Sequence, residues 1–159
     1  MKKILFIVFA LCAALISVAT ASAENSISRS GVNYVIHKFR NADNFKVSEV
    51  GRIDVSSGSG FTGEMAAKIK NLKSIVTVDV TDCTPDVKES FCSEMAKCLE
   101  GCGKLAEFNG NGKQVCIYGS KSANGKYVKN AVIIVGGDKL VFLFGKIAVK
   151  DFSGLGDMG

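Results

Sequence analysis

The sequence predicts an α+β fold: a two-layer sandwich with an antiparallel-rich sheet of five or six strands and two helices packed on one face. Three observations carry this. Everything from residue 104 onward reads as strand, tight turn, strand, with Asn109-Gly110-Asn111-Gly112 and Gly136-Gly137-Asp138 supplying the positive φ angles that hairpins need. Two segments, 62–71 and 85–100, instead repeat their apolar residues at the three-to-four spacing of a helix face. The runs 131–135 and 140–144 are apolar at every position, the mark of central strands covered on both faces.

Taken in order, residues 24–30 are polar and read as a flexible leader to a single domain spanning 31–155, with 156–159 as a tail. Residues 32–39 are rich in β-branched and aromatic side chains and read as a first strand. A polar connection at 40–46 and a weak extended segment at 47–55 follow. A Ser/Gly cluster at 56–60 breaks the chain before the first helix, whose face is Phe61, Met65, Ile69 and Leu72. From 74 to 80, Val76, Val78 and Val80 alternate with Thr77 and Asp79, the period of a half-buried strand. Pro85 suits the first turn of the second helix and Gly101-Cys102-Gly103 stops it. Val87, Phe91, Met95, Cys98 and Cys102 fall on the side of that helix meant for the sheet, with Leu99 at its edge. Strands at 104–108, 114–119, 127–135 and 140–149 complete the sheet. Two helices cover one of its faces. The other needs the N-terminal strands, the C-terminal tail or a second copy of the chain.

The chain of 159 residues begins with Lys2 and Lys3, an apolar run at 4–18, and Ala21-Ser22-Ala23 before Glu24, the pattern of a cleaved export signal over residues 1–23. The run is too short for a stable membrane span. Leu11 stands before Cys12 where lipid attachment needs a small residue. The expected location is periplasmic or secreted, with no integral membrane span. The 136 residues left after cleavage can bury one core without metal or disulfide support. The formal net charge of +5 falls when Lys2 and Lys3 leave, and the remaining basic residues are scattered along the sequence, which argues against nucleic acid as a partner.

Gly31-Val32-Asn33-Tyr34-Val35, the charged helix, Gln114-Val115-Cys116-Ile117-Tyr118, Gly125-Lys126-Tyr127 leading into Val132-Ile133-Ile134-Val135, and the run 140–145 follow one another in an order that resembles the domain-of-unknown-function 4252 family of small exported Bacteroidetes-type proteins. The resemblance covers most of residues 31–155 and implies an exported α+β domain. It carries over no catalytic residue. The chain departs from the family in its cysteines and in the Gly/Ser-rich segment near Ser56.

Gly58-Ser59-Gly60-Phe61-Thr62-Gly63 matches G-x-G-x-x-G, with Asp79 at a suitable distance for a ribose hydroxyl. The strand it needs, Arg52-Ile53-Asp54-Val55, is short and polar, and the later strands come as hairpins rather than crossovers, so the stretch reads as a loop before a helix and no cofactor is expected. Five cysteines remain after cleavage: Cys83, Cys92, Cys98, Cys102 and Cys116. Cys98 and Cys102 sit four apart, a spacing that can hold a soft metal, but no His or acid completes a tetrahedral set, so no metal is expected. Buried apolar packing, a disulfide within the five, or a thiol site at Cys98 and Cys102 are the open readings. His37 has no nucleophile or carboxylate partner in sequence, and no G-x-S-x-G, H-E-x-x-H or P-loop is present.

The expectation is a non-enzymatic envelope protein that binds another protein or itself. Its interaction surface would be Val132, Ile134, Val141 and Leu143 of the last hairpin, and a homodimer or an envelope protein would cover the apolar face. The alternatives are a small-ligand carrier with a pocket between helices and sheet, and thiol redox chemistry at Cys98 and Cys102.

Overall fold

A computed structural model describes residues 26–51, 71–110 and 112–153. The signal at 1–23, Cys12, the glycine-rich stretch 58–63 and the helix expected over 62–71, apart from its last residue, lie outside these residues, as does the tail at 156–159.

The first element corrects the sequence reading. Residues 32–39 are not a strand but part of helix α1 (Arg29–Phe39). Val32, Val35 and Ile36 are buried and Phe39 packs against the core, a spacing of three, one and three that only a helix brings to one side. Their β-branching costs little against that burial. Ser28 caps the helix by accepting a hydrogen bond from the Gly31 N–H at 3.2 Å, and His37 and Lys38 sit favourably in the last turn. The expected flexible leader is also shorter, because Ile27 is buried in the core.

After α1 come β1 (Lys46–Gly51), β2 (Leu72–Asp79), α2 (Pro85–Cys98), β3 (Gly103–Gly110), β4 (Lys113–Lys121), β5 (Tyr127–Val135), β6 (Lys139–Ala148) and the short α3 (Val149–Ser153). The strands form one sheet in the order β1-β2-β6-β5-β4-β3, and every neighbouring pair is antiparallel. The apolar runs at 131–135 and 140–144 occupy the two central strands, as their composition predicts. In α2, Thr84 accepts from the Val87 N–H, Pro85 opens the first turn, and the Leu99 N–H closes the last turn on Met95 and Ala96 before Gly101 turns at φ +81°.

The sheet divides two apolar cores. On one face α1 and α2 press Val32, Val35, Phe91, Met95 and Leu99 onto Val76, Val78, Tyr118, Val132, Ile134 and Phe142. Phe39 and Phe45 meet the Phe91 ring edge-on at 5.6 and 5.2 Å, tying the end of α1 and its following turn to α2. On the other face Ile75, Ile117, Ile133, Val141 and Leu143 are buried, and α3 lays Phe152 and Val149 against them. The central residues of that face are thus buried within the single chain.

Candidate functional site

The two ends of the sheet differ in their electrostatics. At the end holding Asp79, three lysines are matched by acids, Lys46 with Asp82 at 2.9 Å, Lys139 with Asp79 at 3.5 Å, and Lys88 with Asp138 at 3.7 Å, while Lys113 at the same end has no such pair among the described residues. Burial alone would raise the Asp79 carboxyl, but hydrogen bonds from Thr81 and the charge of Lys139 outweigh it and hold the group below its ordinary value.

At the opposite end the strand register breaks along a line. Lys73 is an extra residue of β2 against the Phe144/Gly145 step of β6; β6 carries an extra residue between Leu143 and Lys146 against β5; β5 carries one between Val128 and Ala131 against β4. Such bulges bend a strand and re-aim its side chains. Asn130, at φ +60°, fastens the line. Its amide nitrogen donates to the Ile27 carbonyl at 2.7 Å, and its Oδ1 accepts from the Gly145 N–H at 2.9 Å. The residue ahead of α1 is thereby held to β5 and β6. Gly145, at φ +150°, lets β6 approach the start of β2; a Cβ there would lie 2.6 Å from the Asn71 carbonyl oxygen.

These features build an open cleft of about 710 Å³, within the size range of small-molecule sites, roughly 300–1,000 Å³. Ser26 and Arg29 form the side belonging to the start of α1. The strand ends supply Lys73, Ser120, Lys121, Ser122, Tyr127, Lys129, Asn130, Phe144, Gly145 and Lys146. The turn between β4 and β5 is ordered by Ser122, whose N–H donates to the Tyr127 carbonyl at 2.7 Å and whose Oγ accepts from the Tyr127 N–H at 3.2 Å. Tyr127 and Lys121 are thus held at the rim.

Five of the lining side chains are cations and, among the described residues, none is acidic. Arg29 bonds Glu49 of β1 at 2.8 Å and lies 5.3 Å from the centre of the Phe144 ring. Lys146 lies over the Tyr127 ring at 4.4 Å. Among the described residues, Lys73, Lys121 and Lys129 pair with no carboxylate.

The residues expected to form a site lie elsewhere. Val132 and Ile134 belong to the helix-side core and Val141 and Leu143 to the opposite one, with exposures of 0%, 3%, 1% and 0%. They share no surface and offer none to a partner, because the hairpin is the centre of the sheet. Cys98 ends α2 half-buried, whereas Cys102 lies beyond the helix and is buried, so the helical i, i+4 relation between them does not exist. Burial pushes the Cys102 thiol up to about 11; burial, then the charge of Glu94, raises that of Cys98. Both are thiols, not thiolates, at neutral pH. Among the described residues, none of the five cysteines is joined in a disulfide. His37 is exposed on α1 and does not line the cleft.

Sequence reasoning missed the cleft because its walls come from five separate segments. The available signal was a set of lysines at strand ends, Lys73, Lys121, Lys129 and Lys146, with no acidic neighbour in sequence at any of them. Compared with known proteins, the chain matches no family model, no curated protein and no solved structure.

Proposed function

We propose that this chain is a non-enzymatic binding protein that carries a small ligand in the cleft between the start of α1 and the bulged end of the sheet. The observation that supports this reading is the cleft itself: a concave site of ligand size, with Asn130 and Gly145 locking its floor to the start of α1. The carrier reading is preferred to self-association through the last hairpin because the residues that would have formed that interface are buried within one chain. The export pattern at 1–23 and the resemblance to small exported proteins support a periplasmic or extracellular setting for this binding.

The test is occupancy. The exported form, isolated from its native host, should retain a small molecule on native mass spectrometry. Ser120→Trp, which fills the cleft without touching a charge, should release it while the melting temperature stays within a few degrees. A chain that carries no small molecule, or one whose ligand survives Ser120→Trp, would refute the carrier reading.

A further inference from the structure

We infer that the ligand is a multiply charged organic oxyanion, bearing phosphate or carboxylate groups on an apolar body, and that Glu49 acts as an internal competitor which the ligand displaces from Arg29. This rests on the carrier reading of the cleft and adds its chemistry.

The charge distribution carries the inference. At the Asp79 end of the sheet, Lys46, Lys88 and Lys139 are each paired with an acid, which balances most of the local charge. At the cleft end Arg29, Lys73, Lys121, Lys129 and Lys146 converge on one concavity with no acid in its lining among the described residues. Cations within a screening length of about 8 Å repel one another at physiological salt, and a concave wall strengthens their shared field. A fold that only needed solubility could spread these charges. Here the bulges at Lys73, Asn130 and Gly145 turn strand ends that carry lysines toward one space.

The remaining lining narrows the class. Tyr127 offers an exposed ring and the lysine stems add hydrocarbon, so an apolar or planar body has a surface to rest on, while Phe144 lies buried beneath Arg29. Ser26 and Ser120 add hydroxyl groups able to donate to oxyanion oxygens, whereas the Ser122 hydroxyl already donates to Asn124 Oδ1 at 2.7 Å. Among the described residues, Arg29 is the one guanidinium in the lining, and it suits bidentate oxyanion binding. Its present partner, Glu49, holds it through a pair whose side chains are 45% and 55% exposed, and exposed pairs of this kind are weak enough to exchange.

Calorimetry with the mature chain and phenyl phosphate, whose dianion joins a charged group to a planar ring, tests both parts. Saturable binding is expected, weakened about fivefold or more by Lys73→Gln and by Lys129→Gln, preserved in Lys129→Arg, abolished in Ser120→Trp, and strengthened about two- to fivefold in Glu49→Gln. Inorganic phosphate should bind more weakly. Benzyl alcohol, the neutral control, should not compete. If benzyl alcohol binds as well as phenyl phosphate and Ser120→Trp blocks both, the carrier reading stands and the oxyanion class falls. Unchanged affinity in Glu49→Gln overturns the competitor role. If neither compound binds the folded chain, the oxyanion assignment is overturned, while retention of a native ligand would still support a carrier. Phosphatidylglycerol vesicles separate a lipid headgroup from a free anion. Vesicle binding that persists in Ser120→Trp and falls equally with every lysine removed would mark a surface patch and overturn the cleft assignment.

Discussion

Replacing Gly145 with alanine tests the packing at the floor of the cleft. The added Cβ would lie 2.6 Å from the Asn71 carbonyl oxygen and 3.2 Å from both the Leu72 Cα and the Lys73 nitrogen, all backbone atoms that cannot swing aside like a side-chain tip. Its φ of +150° is a further strain for any residue with a Cβ. An unfavourable backbone costs about 1–3 kcal/mol and overpacking a similar amount, so Gly145→Ala should lose roughly 2–5 kcal/mol. For a domain of this size that is a fall in melting temperature of roughly 10–20 °C. Gly103→Ala is the control, because a Cβ there meets nothing within 4 Å. Thermal unfolding by circular dichroism reads both. If Gly145→Ala melts with the Gly103→Ala control, the close β2–β6 approach does not constrain the fold as argued.

Three further outcomes are expected. Asn130→Ala removes the bonds to Ile27 and Gly145 and leaves alanine in a left-handed conformation, for a loss of about 2–4 kcal/mol in urea unfolding; Asn130→Asp, which keeps only the acceptor, should fall between. Hydrogen exchange at the Gly145 amide should quicken in Asn130→Ala, and an unchanged rate would contradict the clamp. Ser74 has a buried Oγ with no hydrogen-bond partner among the described residues, so Ser74→Ala should be neutral or stabilising by up to about 1 kcal/mol, and a clear drop in the urea midpoint would show that the hydroxyl matters. The Cys102 thiol, ordinarily near 9.0, is raised to about 11, so above pH 9 the unfolded chain releases a proton that the folded chain keeps. Stability from this group is thus full below pH 9 and declines by about 2–3 kcal/mol between pH 9 and 11, a slope that should shrink in Cys102→Ala and would refute the burial argument if it did not.

The legible parts of the fold were those where local chemistry and burial agree. Pro85 and Gly101 bracket α2 in the sequence as they do in space, and the unbroken apolar runs of β5 and β6 announce strands with a core on each side. α1 was misread because Val32, Val35 and Ile36 have strand-like propensity, while the signal that wins, their spacing together with the Ser28 cap, is short. The cleft was hidden for a different reason. Period-two alternation assigns strand residues to faces only while the register is unbroken, and it fails at the residues around Lys73, Asn130 and Gly145. Cys102 shows the same limit at a helix end, since the phase assigned to it assumed about one further turn that Leu99 and Gly101 do not allow.

The line of bulges also separates two kinds of freedom to change. Below it, residues 131–135 of β5 and 140–143 of β6 are each committed to one of the two cores, so a polar substitution or a register slip there would be felt through the whole sheet. Past it, alternation starts afresh: Val128 and Ile147 still seal the second core, while Lys129 and Lys146 line the cleft. The lip can therefore be rewritten on a fixed chassis. Substitutions at Lys73, Lys121, Lys129 and Lys146 should combine almost independently of core changes more than about 10 Å away, and descendants of this fold could exchange one cargo for another by altering the lip alone.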